Sequence, residues 1–339
     1  MIRIIAMSIN NYILRDNLLL YIERIVRVYS LNIPKQCSSN CYDCIFSSLL
    51  QYNNFDFEAY NYKYFYTNYY DSESIDPIYR IRRSVTREYT IAILNRFYNI
   101  NVVFHKRDHA ENIENLFGSW LPEKPIGIVI DPYYCSWTNF YQKRHYLHAL
   151  LIVDIDFVNQ KYICFDTYHN TIGFVKVDWN IIHKYYTEYF MMNFENAMAP
   201  KKRVLFDHID EIIINFQNNS EVKKMELLNY FTTNDREMLF PRNLETSVPL
   251  LNLKWIAEDK KYFTAYLTYA EGKSKRSLFS DVYPLLFVSE QKFHLLKSLL
   301  TKYAITGSLN HNSLEALISE IIATDVKIIE QMGTYKSFV

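Results

Sequence analysis

The sequence predicts an α+β protein with a mainly helical C-terminal part, and three observations carry that reading. Apolar residues at 3.6-type spacing mark helices early, over 12–30, 41–52 and 84–98. Short β-branched runs follow: "PIGIVID" (125–131), "HALLIVDIDF" (148–157), "KYICFDTY" (161–168) and "GFVKVD" (173–178). After "APKKR", near residue 200, helical spacing returns over 204–217, 221–239, 284–303 and 313–331, with strand character only near 261–269. The expected domains are therefore 1–200 and 201–339.

Each element has its own local reason. Residues 2–9 read as a weak first strand. Leu14, Leu18, Tyr21, Ile22, Ile25 and Val26 form the stripe of the helix over 12–30, and Pro34 ends that segment. Ser38, Ser39 and Asn40 are N-cap types ahead of a run with Ile45, Phe46, Leu49 and Leu50 on one face, which predicts an amphipathic helix from Cys41 to Tyr52. The run at 125–131 follows a proline and is apolar throughout, as a buried strand is. The polar link "VNQ" joins the runs at 148–157 and 161–168 as a hairpin, and 173–178 alternates as a third antiparallel strand. "WNIIHKYYTEYFMMNF" (179–194) carries helical spacing. No internal repeat is visible.

Composition narrows the function classes. Lys+Arg and Asp+Glu are both 37, so the basic excess of a nucleic-acid binder is missing and no nucleic-acid partner is expected. Only 6 glycines occur, with no GxGxxG and no GxxxxGK[ST], which removes support for a Rossmann or P-loop nucleotide site. No apolar run reaches the ~18–20 residues of a membrane-spanning helix, and the apolar start is broken by Arg3, Arg15, Asp16, Glu23, Arg24 and Arg27 without a small-residue cleavage site. The five cysteines are odd in number and not spaced as a secreted disulfide framework. A cytoplasmic protein without membrane attachment is the expectation.

The stretch "SSNCYDCIFSSLLQYNN" (38–54) raises the chemical question, because nothing in packing requires a cysteine at the mouth of a helix. Cys41 there meets the positive end of the helix dipole, where unpaired N–H groups favour the reactive thiolate. A thiolate needs a base, and the base an orienting group. His148 opens one strand and Asp166 lies at the end of the next, so a hairpin brings both to the same end. Helix-borne Cys, strand-borne His and Asp on the neighbouring strand, in that chain order, form a papain-type arrangement. His145 competes with His148 for the base, but residues 146 and 148 point the same way along a strand and 145 does not. Cys44, Cys135 and Cys164 read as small core residues. Cys37, Cys41 and Cys44, spaced four and three apart, offer zinc ligation as an alternative, but a second CxxC is missing and no metal is expected. "DPYYCSW" (131–137) gives a possible substrate lining in Asp131, Tyr133, Tyr134 and Trp137, suited to a cationic amine by charge and cation–π contact. The bland reading is aromatic packing in a chain with 30 tyrosines.

These residues resemble a family. "NCYDCIFSSLLQYNN" followed by "HALLIVDID" and "KYICFD" is similar to the N-terminal domain of the butirosin biosynthesis protein H family, a papain-like branch that also resembles bacteriocin-processing cysteine peptidases. In both, a Cys opens a helix that continues with a Leu-Leu pair and a Tyr. Here these are Leu49, Leu50 and Tyr52, which sets the register on Cys41 rather than Cys44. "IDPYYCSWTNFYQKRHYLHALLIVDID" also resembles relatives found beside peptide and polyketide synthetase genes. The resemblance spans roughly residues 30–200. It implies a papain-like fold and a cysteine acyltransferase of specialised-metabolite biosynthesis, acting on peptides, polyketides or aminoglycosides. Cys41 would take an acyl group from a carrier-protein thioester, His148 would act as base and acid, and Asp166 would orient the imidazole. The partners implied are an acyl or peptidyl carrier protein, which brings its own phosphopantetheine arm, and an amine-bearing acceptor. No other cofactor is implied, and a homodimer is compatible with the family. The relatives place an oxyanion-hole Gln about six residues before the Cys; position 35 is Lys, and Gln36 and Asn40 are the side chains offered instead. Two alternatives stay open: a papain-like hydrolase (peptidase, amidase or thioesterase), and a non-catalytic scaffold that binds a synthetase or carrier.

Overall fold

The computed structural model describes residues 31, 41–64, 87–107, 113–121, 124–138, 140–143, 145–166, 173–217, 220–234, 236–240, 244 and 247–335. The expected elements over 2–9 and 12–30 lie outside them. The described chain is α+β and forms two compact units. One contains residues 41–55 with Val102–Met192; the other contains Asp56–Asn101 and the chain from Asn193 on. The units interleave in sequence, because residues 56–64 and 87–101 precede most of the strands yet cluster with the helices that follow them.

The first unit is built around one six-stranded sheet. Helix α1 (Cys41–Tyr52) forms where its apolar spacing places it. Asp43 in its first turn complements the helix dipole. Ile45, Phe46, Leu49 and Leu50 are buried, each contributing about 1.5–3 kcal/mol by removal from water. Asn54, in the left-handed region at φ 61°, ends the helix. In the second unit α2 (Arg87–Tyr98) follows. Strand β1 (Asn101–Lys106), helix α3 (Ile113–Trp120), β2 (Ile126–Ile130), β3 (His148–Asp156), β4 (Lys161–Asp166), β5 (Gly173–Asp178), α4 (Trp179–Tyr185) and β6 (Tyr186–Asn193) complete the α/β part.

The strand order is β1-β6-β2-β3-β4-β5. Antiparallel ladders join β2 to β3, β2 to β6, β3 to β4 and β4 to β5. The expected hairpin and third antiparallel strand are therefore present. Ile126, Ile128, Leu150, Ile152, Tyr162, Cys164 and Tyr189 share one apolar cluster with Phe117 of α3 and Ile182 of α4. Phe190, the residue after Tyr189, points the other way and meets Phe46 of α1 edge-on at 5.7 Å between ring centres. Gly127 pairs with Phe190, and a Cβ on Gly127 would run into that ring. Only glycine lets the ring lie there.

Two segments differ from the expected secondary structure. Residues 179–194 were expected to be one helix, but the helix stops at Tyr185 and a strand begins at Tyr186. A bulge explains the misleading pattern: Ile130 pairs with Tyr186 while Val129 pairs with Glu188. The extra residue places Tyr186 and Tyr189, three apart, in the same cluster, so a bulged strand imitates helical spacing. The strand character near 261–269 is overridden too. That aromatic run sits inside a helix, where Phe263, Tyr266, Leu267 and Ala270 are buried at helical spacing.

The second unit is otherwise helical: α5 (Lys202–Gln217), α6 (Ser220–Thr233), α7 (Arg236–Leu239), α8 (Val248–Ser274), α9 (Val282–Thr306) and α10 (His311–Gly333). Its core runs from Leu227 of α6 through Leu253 and Ile256 of α8 to Leu296 of α9 and Ile318 of α10. Lys260, Ser289 and Asp325 cross this core as a buried polar group. The Lys260 ammonium sits 3.0 Å from Asp325 Oδ2, and the Ser289 hydroxyl donates to Asp325 Oδ1 at 2.7 Å. Among the described residues no helix is long and apolar enough to cross a membrane.

Candidate active site

Three elements deliver the candidate side chains of the first unit. Cys41 is the first residue of α1, His148 the first of β3 and Asp166 the last of β4. Helix α1 lies against β3. Leu151 pairs with Phe165, so Asp166 falls beside Leu150, and His148 is its diagonal neighbour on the same face. His148 Nε2 donates to Asp166 Oδ2 at 2.9 Å, with both side chains fully buried. Cys41, 8% exposed, lies near enough to act on the same imidazole. With Nε2 given to the carboxylate, Nδ1 is the nitrogen left for the thiol.

The electrostatics follow from that setting. Burial alone lowers the basicity of His148. The hydrogen bond to Asp166 and its charge, with the influence of the nearby Cys41, outweigh it and push the imidazole up to about 10. An imidazole held protonated beside a sulfur is the environment in which a thiolate forms. Cys135 and Cys164 show the opposite case. Burial first, then the nearby Asp166 carboxylate, pushes both thiols well up, so they stay neutral core residues.

No family model matches the chain, and no curated protein matches it either.

The segment after β2 is tightly built. Asp131 Oδ1 accepts from the Tyr133 N–H at 3.0 Å and caps a 3-10 turn over Pro132–Tyr134. Its other oxygen holds His145 Nδ1 at 2.6 Å, and the His145 ring stacks on Tyr133 with centres 4.0 Å apart. Tyr134 stacks on Tyr185 at 3.5 Å. Trp137 turns its indole N–H to Asp166 Oδ2 at 2.8 Å. The carboxylate offered to a cationic amine in the sequence is thus engaged by His145, and the aromatic residues around it have protein partners. His145, whose side chain is 63% exposed, lies before the start of β3 and is held by Asp131 rather than by the buried site.

Gln36 and Asn40, the expected oxyanion-hole side chains, lie outside the described residues, as does Cys37 of the zinc alternative. Among the described residues no cluster of three or more metal-ligating side chains is present. Cys44 is buried in α1 as expected. What the sequence could not reveal is the bond from Trp137 to Asp166. The 29-residue separation leaves no local pattern, and only the path of the loop brings the two together.

Proposed function

We propose that this protein is a papain-like, cysteine-dependent acyltransferase that moves an acyl group from a carrier-protein thioester to an amine. The observation that supports this reading is the buried imidazole of His148, bonded to Asp166 through Nε2 and close enough to Cys41 to be influenced by it. The resemblance of residues 30–200 to acyltransferases of specialised-metabolite biosynthesis supplies the substrate class.

The steps use these groups alone. With the proton already on His148, the Cys41 sulfur attacks the thioester carbonyl as a thiolate. The new S–C bond forms as the bond to the carrier's thiol breaks, and His148 returns the proton to that leaving thiolate. An amine then attacks the acyl-Cys41. His148 accepts a proton from the amine as the S–C bond breaks, and passes it to the released Cys41 sulfur. Asp166 holds the imidazole in place throughout. Thioester and acyl-Cys are close in free energy, so the first transfer is reversible and amide formation drives the second.

Intact-protein mass spectrometry after mixing with a short acyl thioester tests this. The wild type gains one acyl mass and Cys41→Ala gains none. Discharge by an added amine, with the amide recovered, supports transfer; discharge by water alone makes the protein a hydrolase using the same intermediate. A wild type that forms no adduct and does not react with iodoacetamide at Cys41 overturns both and leaves the scaffold reading.

A further inference from the structure

The geometry around Asp166 points beyond the three residues. One oxygen, Oδ2, accepts from two directions: His148 Nε2 at 2.9 Å and Trp137 Nε1 at 2.8 Å. A carboxylate turns easily about its last torsion, which is broad and two-fold, so a single partner leaves its aim loose. A second donor on the same oxygen fixes it. The indole suits that task because it donates and never accepts, and it carries no charge. A lysine or arginine in its place would cancel the negative charge that His148 uses.

Trp137 is itself held. Thr138, the next residue, donates from its hydroxyl to the carbonyls of Pro132 at 3.2 Å and Cys135 at 3.0 Å. Asp131 caps the turn that begins the segment, and His145 pins the free oxygen of Asp131. The indole body packs against the core that contains Cys135 and Cys164. The loop therefore presents one N–H, from a rigid base, to a buried carboxylate at the end of β4.

We propose that Trp137 is a positioning residue of this site, whose indole N–H aims Asp166 Oδ2 at the imidazole of His148. The alternative is a core-filling tryptophan whose N–H takes the nearest acceptor. The effect on rate rests on the acyl-transfer reading above; the effect on the imidazole does not.

Two replacements separate the readings. Trp137→Phe removes the N–H with part of the ring. Substitution of Trp137 by β-(3-benzothienyl)alanine keeps the indole shape and replaces N–H with sulfur, which guards against simple misfolding. The first readout is the titration of the His148 imidazole by NMR of histidine-labelled protein, with the resonance assigned by its loss in His148→Gln. Both replacements are expected to lower the His148 midpoint by about one pH unit or more, because a swinging carboxylate holds the imidazolium less well. The second readout is the rate of Cys41 acylation against pH, expected to fall about 10–100-fold with its profile displaced, the scale typical of outer partners that orient a reacting group. An unchanged or raised midpoint in the benzothienyl variant overturns the proposal. A wild type that is never acylated sinks the acyl-transfer reading instead, and the NMR titration still decides for or against Trp137.

Discussion

His148 sets how the first unit responds to pH. Its imidazole is raised from an ordinary 6.5 to about 10 in the folded protein, so the native state binds this proton more tightly than the unfolded chain. The contribution to stability is complete below about pH 6.5 and is lost as pH rises through about 10. Urea unfolding of the wild type should weaken over that window, and His148→Gln should remove that part of the slope; an identical slope in the variant would refute the assignment. The cysteines follow the same logic. Native protein treated with iodoacetamide near neutral pH should label Cys41 well ahead of Cys135 and Cys164, whose thiols are buried and pushed up. Peptide mapping checks this, and prompt labelling of Cys164 in folded protein would count against it. At this scale Cys41, His148 and Asp166 were legible in the sequence because each stands at the end of an element, where a local pattern marks the position. Trp137 was legible only as an aromatic residue near a strand end. Its partner depends on the course of a loop.

At the scale of elements, helix α1 was legible and the bulged strand β6 was not. Helix α1 spans the expected Cys41–Tyr52 with its apolar face buried, because a helix closes its hydrogen bonds within itself. Strand β6 closes its bonds on β2, a segment far away in sequence, so nothing local forbids the helical reading. The close approach of Phe190 to Gly127 gives a test. Gly127→Ala should cost about 1–3 kcal/mol in urea unfolding, because the Cβ displaces a ring that also packs on α1. No loss of stability would show that β2 and β6 can separate freely. In the helical unit, burial lowers the basicity of Lys260 although Asp325 opposes it. Lys260→Met alone should cost about 3–5 kcal/mol by leaving a buried carboxylate unpaired, whereas Lys260→Met with Asp325→Leu should recover most of that loss. A double variant as unstable as the single one would mean that the pair is needed for the packing of α8, α9 and α10 itself.

Across the molecule, the two units should lose stability at opposite ends of the pH scale. His208 of α5 is buried and stacked on Phe97 with centres 4.5 Å apart. Burial first, then the Arg96 charge, lower it to about 4 against the opposing pull of Glu211. The unfolded chain therefore takes up this proton before the native one, and stability is lost as pH falls from 6.5 towards about 4. Hydrogen exchange resolved by peptide and corrected for intrinsic rates should show α5 loosening first in acid and β3 and β4 first in alkali. Uniform loosening at both extremes would contradict the assignment. The sequence by itself determined the α+β class, the helix that carries Cys41, the hairpin that carries His148 and Asp166, and the helical character of the C-terminal part. All of these rest on bonds and spacings within a few turns or one hairpin. Only the tertiary structure decided that residues 56–64 and 87–101 cluster with the later helices, that β6 lies between β1 and β2, and that Trp137 meets Asp166. Each of those joins segments distant in the chain. There the free energy comes from packing and from hydrogen bonds that a local pattern does not record.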